Sequence, residues 1–292
     1  MKYLFSLLAL TATISLPAGL QAESADPFAN VEMKAQPVSG SVHMLEGAGG
    51  NIGVSVGADG TLIIDDQFAP LADKIIAGLQ ELGGDRPRLI LNTHWHGDHT
   101  GSNPEMGKTG TIISHNNVRV RLLGEEDYPR SGLPLVTFDE NLNVHFNDEE
   151  ITLLHLPTGH TDGDTVVWFK QANVIHMGDL FFNHRFPFVD LASGGSIDGF
   201  ITNVNNILSA IPDDIKIIPG HGPLATKADL TNTINTVEQS VALIRDRLAD
   251  GDTAEQVTAV IDADYAEWAS GFINASRWVQ IVQADLSAST SN

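Results

Sequence analysis

The chain has 292 residues, of which 42% are hydrophobic, enough for one large layered core. It has no cysteine, which excludes disulfides, zinc-thiolate fingers and iron–sulfur clusters, so any metal must be held by nitrogen and oxygen. The formal net charge of -21 repels phosphate backbones and argues against nucleic acid as a partner.

Residues 1–22 start with Lys2, continue through "YLFSLLALTATISLPAGL" and end at Gln21 and Ala22. This is the pattern of a secretory signal cut after Ala22, and Pro17 leaves it too broken to span a bilayer. The expectation is a secreted, periplasmic protein with no stable membrane association after cleavage. Residues 23–292 are then one domain. "SVHMLEG" and "NIGVSVGADGTLIIDDQ" alternate apolar and polar residues between glycine turns, which predicts two or three antiparallel strands. "PLADKIIAGLQELGG" sets Leu71, Ile75, Ile76, Leu79 and Leu82 on one helical face. The apolar run Leu89 to Leu91 predicts a strand leading into "NTHWHGDHTG". "TIISHNNVRVRLL" reads as a strand passing into a helix, and residues 124–140 as a loop rich in charges and turn formers, a candidate lid. "NLNVHFNDEEITLLHLP", "TVVWFKQANVIHMG" and "DDIKIIPGHG" predict further strands. "SIDGFITNVNNILSAI", a long helix after residue 224 and one or two more to the C-terminus complete the chain.

Three histidines and an aspartate fall within six positions, as His94-x-His96-x-Asp98-His99. On a strand-to-loop turn, His94 and His96 project the same way and can reach one ion, while Asp98 and His99, turning into a helix, can reach a second. Three more donors recur in one context, just after an apolar strand and beside glycine: His160 in "PTGHTDGD", Asp179 in "HMGDLFF" and His221 in "IIPGHG". Glycine there lets the backbone turn sharply and aim a side chain into a shared cleft. His43, His115, His145, His155 and His176 sit in strand contexts and read as satisfied sheet or core histidines.

The ordered set of H-x-H-x-D-H, G-H-T, G-D and P-G-H-G motifs resembles the metallo-β-lactamase superfamily over nearly the whole mature chain. The resemblance implies an α/β fold, an αββα sandwich of two mixed sheets between helical layers, with the metals at one edge. It implies that His94, His96 and His160 hold one metal, that Asp98, His99 and His221 hold another, and that Asp179 bridges them. Imidazole and carboxylate donors with a coordination position left for solvent suit two Zn2+, with iron or manganese as alternatives. A hydroxide shared by two such ions would attack a carbonyl, and Asp98 would orient it. Thr93, Thr161 and Asp162 are candidate partners for the outer imidazole nitrogens.

The expected substrate is a small amide or ester, with a β-lactam or a lactone the first choice. The best-known β-lactamase members lack a bridging aspartate, and Asp179 matches the thioesterase, lactonase and phosphodiesterase branches. A hydroxyacylglutathione-type thioesterase is therefore the alternative, although it calls for a basic patch that only Arg277 and a few neighbours offer. The other rivals are a non-catalytic binding protein on the same fold and a diiron oxidoreductase. The latter usually has an acid where His96 stands, together with a flavin domain. His184 and Arg185 in "LFFNHRFPF" are candidates for binding a substrate carboxylate. Tyr128 in the candidate lid is a possible oxyanion donor. Trp95 is expected to be a packing or cleft-wall residue.

Overall fold

The structure is a computed structural model that describes residues 26–289. The chain falls into two units, Met1–Asn30 and Val31–Asn292. In the first, residues 26–30 form a turn in which the Ala29 amide donates to the Asp26 carbonyl. The expected signal segment, residues 1–22, lies outside the described residues.

The second unit opens with a strand meander, β1 (Lys34–Ser39), β2 (Val42–Glu46), β3 (Ile52–Gly57) and β4 (Gly60–Ile64), followed by helix α1 (Ala72–Glu81). Strand β5 (Leu89–Leu91), the short helices α2 (Gly97–Thr100) and α3 (Asn103–Met106), β6 (Thr111–His115), α4 (Asn116–Gly124) and β7 (Val136–Phe138) complete the first half. These strands form one sheet in the order β1 to β7, antiparallel up to β4 and parallel beyond it. The second half contains β8 (Asn141–Phe146), β9 (Glu149–His155), β10 (Thr165–Phe169), β11 (Val174–His176), α5 (Ile197–Ala210), β12 (Lys216–Ile218), β13 (Ala225–Thr226), α6 (Lys227–Ala249), α7 (Ala254–Asp264) and α8 (Ala275–Ser289). Its sheet runs β13-β12-β11-β10-β9-β8, with only the β11–β12 pair parallel.

The strand period of two sorts the core into layers. Val167, Val174 and Ile218 meet Met44, Leu62, Leu91 and Ile113 of the first sheet in one apolar cluster. Their chain neighbours Val166, Ile175 and Ile217 point the other way and pack under α5 to α8 in a second cluster. α1 buries Ile75 and Leu79, and its Gly78 lies against Leu45 of the first sheet. The result is the αββα sandwich. Reciprocal capping boxes start α6 at Thr226 and Asp229 and α7 at Thr253 and Gln256.

Two of the departures from the sequence-based expectation concern the first sheet. β1 is an added edge strand, mostly exposed, with a register break at Pro37, so it carries no apolar alternation to betray it. The candidate lid at 124–140 contains β7, which pairs in parallel with β6. That part of the segment is tied into the sheet.

Candidate metal centre

Strand direction places the site. β9 and β11 are each antiparallel to β10, and β12 is parallel to β11, so all three end at the same edge of the second sheet. His160 follows β9, Asp179 follows β11 and His221 follows β12, while the first sheet delivers residues 94–99 just past β5. Thr93 is pinned by Asp65, whose carboxylate accepts from its amide at 2.8 Å and its hydroxyl at 2.7 Å. His96 is then the extended N-cap of α2, which carries Asp98 and His99 in its first turn. Two glycines permit the close approach: a Cβ on Gly50 would run into the His99 ring, and one on Gly220 into Asp179.

All seven expected donors converge. His94, His96, His160 and Asp179 form one group of mutually close donor atoms, and Asp98, His99 and His221 form another. Asp179 faces both. Its Oδ2 lies 3.8 Å from His94 Nε2 and 3.5 Å from His160 Nε2, while its Oδ1 lies 3.1 Å from His99 Nε2 and 3.4 Å from His221 Nε2. Asp98 Oδ2 lies 3.4 Å from His221 Nε2 and 3.6 Å from His99 Nε2. His96 turns its Nδ1 inward, 2.9 Å from His160 Nε2.

Four of the five imidazoles place their other nitrogen against a partner. His99 Nδ1 lies 2.7 Å from Asp65 Oδ2 and His96 Nε2 lies 3.0 Å from Asp190 Oδ2. His160 Nδ1 lies 2.7 Å from the Phe188 carbonyl and His94 Nδ1 lies 3.0 Å from Thr93 Oγ1. Outer partners of this kind fix both the tautomer and the ring direction of a metal-ligating histidine. Two of the inward atoms are left wanting: His94 Nε2 and Asp179 Oδ1 are buried without a hydrogen bond. Imidazole nitrogens and carboxylate oxygens crowded together, two of them buried with no hydrogen bond, fit a cation, and this donor set suits zinc, iron or manganese.

The electrostatics agree. Burial holds His94 well below the usual imidazole range and takes His160 down to about 4, so both present a lone pair. Burial opposes charging His221 and His99, yet Asp179, with Asp98, raises His221 to about 9 and, joined by Asp65, raises His99 well above its ordinary value. Burial works against ionised Asp179 too, but His99, His221 and His94 hold it well below the carboxylate range. The pocket thus draws positive charge toward one shared carboxylate.

Beside the cluster lies a cleft of about 650 Å³, with His96, Asp98, Asp179 and His221 on its floor. Phe68, Phe182, Phe186, Phe188 and Phe272 make it largely apolar, and Arg185 contributes a charge. The other expected residues divide. His184 is exposed, held at φ 57° near Trp268, and is not part of the cleft lining. Tyr128 is not brought to the cleft either: its hydroxyl reaches the carbonyls of Thr100 at 3.4 Å and Gly132 at 3.5 Å. Burial, and then Asp66, push its phenol upward, so the expected oxyanion role would require it to leave those bonds. Trp95 packs beside His96 and under Arg121, away from the cleft.

Of the expected outer partners, only Thr93 contacts a cluster histidine. Thr161 binds Asp164 to shape the loop of His160, and Asp162 makes a two-pronged pair with Arg121. Asp65, Asp190 and the Phe188 carbonyl were missed. The only signal for the two acids was their position at the end of an apolar run.

A model of the metallo-beta-lactamase superfamily matches residues 46–222. A metallo-beta-lactamase type 2 of Bacillus sp. (strain 170) is 20% identical over 180 residues, covering 61% of this chain and 69% of the relative. The hydroxyacylglutathione hydrolase GloC of Haemophilus influenzae is 31% identical over 169 residues, covering 53% of this chain and 77% of its own. Among solved structures, a metallo-beta-lactamase from Pontibacter korlensis superposes with a TM-score of 0.62 at 16% identity, over 71% of this chain and 99% of that one.

Proposed function

The chain belongs to the metallo-β-lactamase superfamily, and from that premise we propose that it is a zinc-dependent hydrolase of small carbonyl substrates, with a cyclic amide or ester, a β-lactam or a lactone, as first choice. The observation that carries this reading is Asp179, which turns one carboxylate oxygen toward His94 and His160 and the other toward His99 and His221. His94, His96 and His160 would hold one ion, Asp98, His99 and His221 the other, and Asp179 would be shared. Ions bound there supply Lewis acidity and a water acidic enough to ionise near neutral pH.

The rest is the work of the chain. Asp65 and Asp190 keep His99 and His96 in one orientation. Asp98 is the least buried carboxylate of the cluster and faces the cleft, where it is placed to orient water and accept its proton. The phenylalanines give the cleft an apolar wall, and Arg185 offers a charge to an anionic substrate group. An intact donor set supports an active enzyme over a binding protein on the same fold.

A thioesterase is the second reading, supported by Asp179 and by the relative whose printed name is a hydroxyacylglutathione hydrolase. The signal-like pattern of residues 1–22 supports export to the periplasm.

The test is a panel of a chromogenic cephalosporin, acyl-homoserine lactones, a thioester and a phosphodiester, each with and without chelator. Chelator-sensitive cleavage of a carbonyl substrate, abolished by His96→Ala, is expected. Turnover that survives complete metal removal would overturn the reading.

A further inference from the structure

We propose that Phe188 and Phe272, with the Arg277 guanidinium laid over both rings, form a specificity wall that selects substrates carrying a flat aryl group and a carboxylate near the scissile carbonyl. The proposal rests on the reading of this cleft as a hydrolase site and narrows it to a substrate class.

The first observation is exposure. Phe272 is 74% exposed on the cleft wall, the second most exposed of the large apolar side chains among the described residues, and it stands edge-on to Phe188 with ring centroids 6.4 Å apart at 90°. A lone exposed phenyl would need no explanation. Here it continues a surface already formed by Phe182, Phe186 and Phe188, so a planar group entering the cleft would bury apolar area on both sides and meet ring faces and edges suited to stacking.

The second observation is anchoring. Phe182 is stacked on His221 at 5.2 Å and 13°, and Phe186 on Trp278 at 5.2 Å and 13°. Trp278 is fully buried and donates from its indole to Ser240 Oγ at 3.0 Å. The Phe188 carbonyl is the group that meets His160 Nδ1, and its ring lies 5.8 Å from that of His96. Phe182, Phe186 and Phe188 are therefore held relative to the reacting centre, and Phe272 extends the surface they form, which is the condition for aiming a substrate rather than merely holding it.

The third observation is charge. In a chain with 37 acids and 16 bases, both cationic side chains of this region, Arg185 and Arg277, make no ion pair among the described residues. Arg277 Cζ lies 4.8 Å from the Phe272 centroid and 5.5 Å from that of Phe188, a cation–π arrangement that leaves the outer edge of the guanidinium open. Guanidiniums without an acid partner beside an aromatic slot match an aryl group with a carboxylate close by.

The test compares two ligands with the same carboxylate, 3-phenylpropanoate and propanoate, binding to the full metal-loaded protein by calorimetry. Any contribution from the metal or Arg185 to the carboxylate is common to both. The phenyl compound is expected to bind about tenfold tighter, Phe272→Ala to reduce that preference to about threefold or less, and Arg277→Ala to weaken both ligands about threefold or more, with metal content unchanged in each variant. Equal affinity for the two ligands, a phenyl preference that survives Phe272→Ala, or an Arg277→Ala protein that binds propanoate as tightly as wild type overturns the proposal. Hydrolysis of matched phenylacetyl and acetyl esters separates the two claims. If neither ester is cleaved and the phenyl preference persists, the wall stands and the hydrolase reading fails. If both are cleaved with equal kcat/KM and the binding preference is absent, the hydrolase reading stands and the wall falls.

Discussion

An imidazole presents its lone pair in a fixed direction only when its other nitrogen is held, and Asp190 does this for the half-buried His96 across 3.0 Å. Asp190 is itself fixed, since Ser193 donates to it from both its amide and its hydroxyl. Asp190→Asn keeps the shape but offers His96 a neutral partner, and is expected to weaken metal binding about 10- to 100-fold, read by competition with a chromophoric chelator. The seven candidate donors were legible in the sequence because each sits past an apolar strand in a local glycine- or histidine-rich context. Asp65 and Asp190 were not, because an acid after an apolar run looks like any other until tertiary placement sets it behind a histidine. Arg277 was noted only as part of a thin basic patch, and nothing in its neighbourhood announced Phe188, which is distant in the chain.

Between elements, the two sheets are joined by a histidine stack. His115 at the end of β6 lies on His155 at the end of β9, with centroids 3.6 Å apart and planes 8° from parallel. His115 Nδ1 accepts the Asn117 amide at the start of α4, and His155 Nδ1 lies 2.9 Å from the Asp164 carbonyl. Burial lowers both pKa values, and for His115 the neighbouring ring adds to the effect. The sign follows. The unfolded chain binds protons near 6.5 and the folded one only below that, so the contribution of this pair is full above about pH 6.5 and is lost as pH falls toward the folded values. His155→Phe preserves a stacked ring and is expected to flatten the fall of Tm between about pH 6.5 and 5 relative to wild type, measured by thermal melts across that range. An unchanged slope would remove the pair from the acid response. The sandwich itself was legible because strands buried on one or both faces alternate or run apolar, and helices show a 3.6-residue stripe. β1 and β7 were not, because an exposed edge strand and a three-residue strand inside a charged loop carry too little periodicity to register.

For the whole molecule, each donor group draws on both sheets. His94, His96, Asp98 and His99 come from the first, and His160, Asp179 and His221 from the second. Ions seated there would therefore cross-link the sandwich at one edge and add stability by mass action, about 4 kcal/mol when free metal stands at about a thousand times its dissociation constant. Chelation is expected to lower Tm by several degrees, and readdition of zinc to restore it, both followed by calorimetry. A melt indifferent to chelator would mean that the cluster does not hold metal in the folded state.

The family match ends at residue 222, yet Phe272, Arg277 and Trp278 lie beyond it, in the closing helix and the turn that precedes it. Part of the proposed wall is thus written in a stretch of the polypeptide apart from the seven donors, whereas Phe188 lies among them. Grafting residues 265–289 from a sister protein would be a direct way to redirect which molecules are cut while leaving the cutting apparatus as it stands.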